Sequence, residues 1–521
     1  MATTMRVARQ ITTPEPEWTR RTGVVVVGGG AAGLSVSARL LASGVPSVLI
    51  SRERLITSAT AWATSPFDEW RTPPDVEAFV REGAGLADQT AAKDFLNAVP
   101  RVLDQFDRIA AAMPSTPDPR QAAGMTVYRT LSSLVRSEAA EPSGTLGIDT
   151  DRRAVDVLTD ESGHVAGLRV LGRDGVVGDY LAPVVVLASG GAGQLWTDTT
   201  TPRAATGDGL AMALRAGATL RDLEFVFFTP TALAVSGRMA LPGEPLVELG
   251  STLWRNGADL VDGDQQPIWS ESLPPHSPCE LAVAVADARA AKHRDIYLDT
   301  RILGEDAWDS DDYLSTARAC REHGVDPAHV PVPVRLATQT MIGGIAVDAH
   351  GATSVPGLRA AGEASCTGAM GAEGPANVSL LQALVTGDAV GEALASGQLP
   401  AAGEPVPREP DGCTPVSTLQ GIHTAADTAL GMVREHERLR SAFDFLSRLP
   451  ADDELDERNL TTTNLRTVGG AIAAAAIARP ETRGWHRRSD HPEASDSWRR
   501  TISISCDARG LLSVTSQPIG E

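Results

Sequence analysis

The chain has 521 residues, 42% of them hydrophobic, which is too long for one ordinary domain and apolar enough for large cores. A formal charge of −20, from 46 basic and 66 acidic residues, argues against nucleic acid or an anionic membrane surface as partner. Five scattered cysteines with no Cys-x-x-Cys pair give neither a disulfide framework nor a zinc or other metal site, and fit a reducing cytoplasm.

Residues 1–21 contain no apolar signal-peptide core and read as a flexible tail. Arg20-Arg21 ahead of an apolar run matches the start of a twin-arginine export signal, but the run reads better as the first strand of a nucleotide fold. From residue 22 the pattern is strand, glycine turn, helix, strand: GVVVVG, GGAAG, LSVSARLLASG, SVLIS. A polar helical stretch, including FLNAVPRVLDQFDRIAAAM, continues to about residue 140. Short strands follow, with turns at Glu161-Ser-Gly and Arg173-Asp-Gly, ending in the buried-strand run PVVVLASGG at 183–191. This alternation predicts an α/β core.

Between about 226 and 337 the composition shifts toward Pro, Trp and Asp, which predicts an inserted α+β cap. Residues 338–399 resume the core with the amphipathic segment VSLLQALVTGDAVGEALASG. Residues 400–412 form a Pro/Gly linker, 413–495 a helical bundle, and 496–521 a C-terminal extension. No run approaches the ~18 apolar residues of a membrane span.

The sharpest motif is Gly28-x-Gly30-x-x-Gly33, directly after the strand Val24–Val27 and at the start of a helix. The first glycine permits the tight turn, the second admits a pyrophosphate, and the third lets helix and strand pack closely. The helix N-terminus then presents amides and a positive dipole end to the phosphates. At the end of the next strand stand Ser51 and Arg52 where an acid usually holds the ribose, so this position does not choose between FAD and NADP. Two later glycine turns, in VVVLASGGAGQLW (184–196) and GLRAAGEAS (357–365), lie too far along for one mononucleotide unit. Three such turns predict a long ligand, FAD.

These residues resemble the fumarate reductase, succinate dehydrogenase and L-aspartate oxidase flavoprotein family. The resemblance rests on TGDGLAMALRAGATLRDLEFVFFTPTAL (206–233), GGIAVDAHGATSVPGLRAAGEAS (343–365), NVSLLQALVTG (377–387) and RPETRGWHRRSDHPE (479–493), and is nearest to the L-aspartate oxidase branch. It implies a Rossmann-like FAD domain, a cap and a C-terminal bundle. It places Gly28, Gly30, Ala31, Ala32, Gly33, Ser51 and Arg52 around the adenine half, Ser58 and Thr60 on the phosphates, and Ala188 and Gly190 by the adenosine. Asp208 joins this cofactor set, Glu363 meets a ribitol or ribose hydroxyl, and Ser379, Leu380 and Leu381 stand at the flavin. Members with covalent flavin carry a histidine where this chain has Ala59, so FAD is expected to be held non-covalently.

The substrate side departs from the pattern. The family clamps a four-carbon dicarboxylate with histidines and arginines; here those positions are Thr229, Gln339, Met370 and Gly374, and the proton-donating arginine is Cys279. Thr64-Ser65-Pro66 and Gly250-Ser251 replace two further family segments. Each charge-assisted bond to a carboxylate contributes roughly 1.5–3 kcal/mol, so losing several argues against a diacid. Cys279, Glu280 and Glu373 are the candidate catalytic groups, with Tyr128 as a distant possibility and His486 expected to be structural. Three readings follow: a flavin dehydrogenase or oxidase acting on a small non-dicarboxylate molecule, with O2 or another electron acceptor; an FAD-binding scaffold without chemistry; and an L-aspartate oxidase with a relocated clamp.

Overall fold

A computed structural model describes residues 4–63, 68–112, 123–139, 145–234, 246–249, 257–269, 277–291, 295–310, 313–375 and 377–519. Thr64-Ser65-Pro66 and Gly250-Ser251 lie outside them.

The centre is a five-stranded parallel sheet in the order Leu358–Ala360, Val184–Leu187, Val24–Val27, Ser47–Ser51, Leu146–Thr150. Val24–Val27 sits in the middle with all four valines buried, which is why it reads as an unbroken apolar run rather than an alternating one. The helix Ala31–Ala42 crosses from this strand to its neighbour and packs against the later helix Ser379–Ser396. There Gly387 and Gly391 lie against Ala32 and Arg39, so the two helices approach too closely for side chains. An antiparallel layer of Arg152–Thr159, Val165–Gly172 and Val177–Leu181 flanks the sheet, with turns at Gly163 and Gly175 in the left-handed region. The polar stretch before residue 140 forms the helices Gln89–Ala112 and Ala123–Ala139.

The inserted region has its own four-stranded sheet, ordered Val226–Leu233, Val332–Met341, Ile296–Asp299, Asp259–Asp262. With the helices Pro278–Ala290 and Leu314–Glu322 it encloses a second hydrophobic core around Leu260, Leu298 and Trp308. The C-terminal helices Leu419–Ala429, His436–Arg448 and Glu457–Ala478 form a bundle, the last of them buried along almost its whole length.

Three segments differ from their expected roles. Residues 4–21 are no flexible tail: Met5, Val7 and Ile11 are buried, Gln10–Ile11 pairs with Pro410–Asp411, and Trp18–Arg21 adds a parallel strand beside Val177–Leu181. The linker is likewise held, because Arg408 donates to the carbonyls of Arg9 and Val157 and to Thr159. The C-terminal extension forms the hairpin Arg500–Cys506 and Leu512–Pro518, which joins Leu220–Arg221 in a sheet of the flavin region. Each segment is too short to signal itself by period, and each is fixed by a partner hundreds of residues away.

His486 is fully buried. Its Nδ1 accepts from the Arg434 guanidinium at 2.8 Å, and its Nε2 donates to the Arg479 carbonyl at 3.0 Å. Burial, reinforced by Arg434, holds the imidazole well below its ordinary value. The unfolded chain therefore takes up a proton below about pH 6.5 that the folded chain refuses. The stability this gives is complete above that pH and falls as the pH drops, by at most about 1.4 kcal/mol per pH unit. His486→Asn keeps an acceptor and a donor but cannot titrate. Urea unfolding at pH 7 and pH 5.5 should show a smaller acid loss for the variant than for the parent; equal losses would refute the assignment.

Candidate flavin site

A cleft enclosing about 1290 Å³, part of it open to solvent, runs along the C-terminal ends of the parallel strands. Its wall includes Gly28, Gly30, Ala31, Ala32, Ser51, Arg52, Ser58, Thr60, Ala188, Gly190, Asp208, Glu363, Ser379 and Leu380. Three chain segments hundreds of residues apart thus meet along one elongated depression, as an extended dinucleotide requires.

At the glycine turn, Gly28 has φ +114°, and a Cβ there would collide with the Ala188 carbonyl. The helix Ala31–Ala42 starts without a side-chain cap on Gly30. Thr60 Oγ1 accepts the Ala31 amide at 2.8 Å, which leaves neighbouring amides of the first turn facing the cleft. Ser58 Oγ is buried in this wall without a hydrogen-bond partner among the described residues. An orphaned hydroxyl beside an open helix N-terminus suits a phosphate group.

Glu363 stands midway, half-buried, with Oε1 accepting the Met341 amide at 2.9 Å and its carboxyl against Gly191. Burial pushes its affinity for a proton up. At the far end Ser379 and Leu380 begin the helix Ser379–Ser396, whose N-cap Val378 provides no side-chain cap. At the near end Asp208 accepts two bonds from Arg153, at 3.1 and 2.8 Å, and one each from Thr206 and Asn464. Burial alone would raise the Asp208 carboxyl, but the Arg153 and Arg52 guanidiniums hold it down to about 2.

Two expected cofactor residues do not line the cleft. Gly33 faces the strand turn, where a Cβ would collide with the Gly28 carbonyl, so it serves helix–strand packing. Leu381 is fully buried in the core behind the helix start. Conversely, Arg152, Arg153 and the 201–205 segment line the cleft without having been expected. Arg152-Arg153 opens an ordinary-looking strand, and no motif marks it. The TGDG resemblance begins just after 201–205 and could have been extended backward.

The substrate-side positions are spread over the strands Val226–Leu233 and Val332–Met341, the helix Pro278–Ala290 and the 366–375 segment, and none of them lines this cleft. Thr229 is buried, 3.4 Å from Thr231 through its hydroxyl. Gln339 lies on the strand Val332–Met341, two residues before the amide that binds Glu363. Met370 is buried, and Gly374, at φ +71°, has Met370 and Ile342 beside its missing Cβ. The Trp485 indole donates to the Glu373 carbonyl at 2.9 Å, and its ring lies 4.3 Å from that of Phe227.

Cys279 donates to the Gly484 carbonyl at 3.3 Å, and burial pushes its thiol far up, so it stays protonated at neutral pH. Glu280 carries its side chain to the surface while its amide is capped by Ser277. Burial raises the Glu373 carboxyl, Ser277 opposes this through a hydrogen bond, and Glu280 and Glu82 reinforce it. Tyr128 packs in the core rather than beside the cleft.

Fold and cleft together define a non-covalent FAD-binding protein of the oxidoreductase class. Residues 23–380 match the FAD binding domain family, and residues 421–519 match the fumarate reductase flavoprotein C-terminal family. The chain is 34% identical to the L-aspartate oxidase of Streptomyces coelicolor, covering 96% of this chain and 94% of that protein. It is 32% identical to the L-aspartate oxidase of Mycobacterium tuberculosis, at 94% and 96% coverage. Escherichia coli quinol fumarate reductase FrdA shares the fold, with a TM-score of 0.80, 24% identity and 97% coverage of each chain. Adenylylsulfate reductase from Archaeoglobus fulgidus does so at a TM-score of 0.74 and 16% identity, covering 100% of this chain and 99% of that one. The chain belongs to the fumarate reductase, succinate dehydrogenase and aspartate oxidase family of FAD-dependent flavoproteins. No helix among the described residues is long and apolar enough to cross a membrane.

Proposed function

We propose that this protein is an FAD-dependent dehydrogenase or oxidase that takes a hydride from a C–H bond next to nitrogen or a carbonyl. The substrate is a small molecule other than a four-carbon dicarboxylate, and O2 or another small acceptor carries the electrons onward. One observation carries the reading: where the family carries its charged clamp, this chain has Thr229, Gln339, Met370, Gly374 and Cys279, none of them charged, and Glu373 adds a carboxylate. Two substrate carboxylates placed there would find no cationic partner at these five positions and would face a like charge.

Bound FAD supplies the two-electron acceptor. The helix start at Ser379 directs its positive dipole end toward that side of the cleft, where negative charge develops. Glu373 is the base we assign, because its raised proton affinity brings it nearer to neutral pH than an ordinary carboxylate. Cys279 suits packing better than catalysis, since its protonated thiol is a poor base.

The relatives favour a second reading, oxidation of L-aspartate to the imino acid with the clamp supplied by other side chains. Overall similarity backs it more strongly than it backs the first. The two separate under nitrogen, with the FAD-loaded protein mixed in turn with L-aspartate and with a panel of neutral and cationic amines. Loss of visible flavin absorption with an amine and not with aspartate is the expected result. Bleaching by aspartate would establish the second reading and overturn the first.

A further inference from the structure

Behind the adenosine end of the cleft lies a chain of buried polar side chains that leads out of the flavin region. Arg153 donates through Nε and Nη2 to Asp208, and through Nη1 to the Glu457 carbonyl and to Thr461 at 2.7 Å. Glu457 and Thr461 form the first turn of the helix Glu457–Ala478. Three residues further, Asn464 donates to Asp208 at 2.8 Å and accepts from Arg215 at 2.8 Å. Arg215 in turn donates to Asp156 at 2.6 Å, whose other oxygen accepts the Ile11 amide. Arg153, Arg215, Asp156, Thr206 and Asn464 are all at most 3% exposed.

Such a network is costly to bury, and apolar side chains of similar volume would hold the same helix at least as well. Its open end is the cleft. Asp208 lines the wall there beside Arg52, which donates to Thr206 at 3.3 Å. That long bond is the only hydrogen bond recorded for Arg52 among the described residues, and no carboxylate there comes within ion-pair distance. Its guanidinium has five N–H donors, so most of them are left to the cleft. Three arginines and two aspartates make up the group, an excess of one positive charge that protein partners in the immediate chain of bonds do not cancel.

We propose that Asn464 and Arg153 are positioning residues for the cofactor: they fix Asp208 and, through Thr206, Arg52 against the adenosine half of FAD, so that docking of the helix Glu457–Ala478 and cofactor affinity are coupled. The C-terminal bundle then acts on the flavin region through one shared carboxylate rather than through apolar packing alone. A ligand that fills only the adenosine half feels the coupling; one that fills only the flavin half does not.

The test uses the full chain freed of flavin and measures equilibrium affinities for FAD, ADP and riboflavin by fluorescence and calorimetry. Asn464→Ala should weaken FAD and ADP alike, by about tenfold, and change riboflavin by less than twofold; one lost bond to a charged group corresponds to such a factor. Thr206→Val, which keeps volume and leaves the helix untouched, should weaken both nucleotides by several-fold. The double variant should lose less than the product of the single losses, as members of one network do. Nucleotide affinities unchanged in both single variants, equal losses for riboflavin and ADP, or multiplicative losses in the double variant would each overturn the proposal. Should Asn464→Ala fail to fold, the Thr206→Val result decides alone.

Discussion

Gly28→Val should yield a protein that purifies colourless and stays so when FAD is added. Two effects act together. The φ of +114° at this position is one that a β-branched residue adopts only with strain, and the new Cβ would drive into the Ala188 carbonyl on the adjacent strand. Relief requires Val24–Val27 and Val184–Leu187 to separate at their C-terminal ends, where the cleft floor lies. Overpacking against side chains costs about 1–3 kcal/mol, and a collision with backbone exceeds that range because the backbone cannot change rotamer. The measurement is flavin absorbance per protein after reconstitution, with thermal unfolding to register the stability loss. Parent-level flavin content would show that the turn is not the phosphate site.

Arg479→Leu should destabilise the fold by about 3–5 kcal/mol, the range for removing one partner of a buried ion group. Arg479 has no exposed surface and binds Glu224 at 2.6 Å and Glu481 at 3.1 Å, both equally buried. It also donates to the carbonyls of Trp498 and Arg500, and its guanidinium lies over the Phe225 ring at 5.0 Å. Removing it leaves Glu224 in the interior without its cation, although Glu481 keeps Arg483 at 2.8 Å, and releases the entry to the hairpin Arg500–Cys506 and Leu512–Pro518. Glu224 already has its proton affinity raised by burial and is held down chiefly by Arg479, so without the guanidinium it protonates more readily. Part of the loss should therefore be recovered by lowering the pH. Denaturant unfolding at pH 7 and pH 5.5 measures both effects; a loss below 1 kcal/mol at pH 7 would show the cluster to be dispensable.

The sequence alone determined the flavin fold and most of the cleft. A run of four valines, a glycine at every place where backbone must meet backbone or phosphate, and a helix opening directly afterward are local signals. They are local because close approach forbids a Cβ regardless of what lies elsewhere in the chain. The exchanges at Thr229, Gln339, Met370, Gly374 and Cys279 were equally readable, since charge is a property of the residue itself.

Tertiary structure decided what depends on partners far along the chain. Nothing in MRVARQI announces a strand held by Pro410–Asp411, and nothing in DRRAVD announces an arginine that ties the cleft to a helix 300 residues later. Gly33 and Leu381 fit the motif, and only the fold shows that a Cβ at Gly33 would meet the Gly28 carbonyl and that the Leu381 side chain packs into the core. The state of Cys279 depends on the same kind of relation: the enclosure around its sulfur, with the Gly484 carbonyl as its partner, pushes the thiol further toward its protonated form. Burial and pairing are relations between distant residues, and a linear pattern records them only when geometry forces a particular residue type.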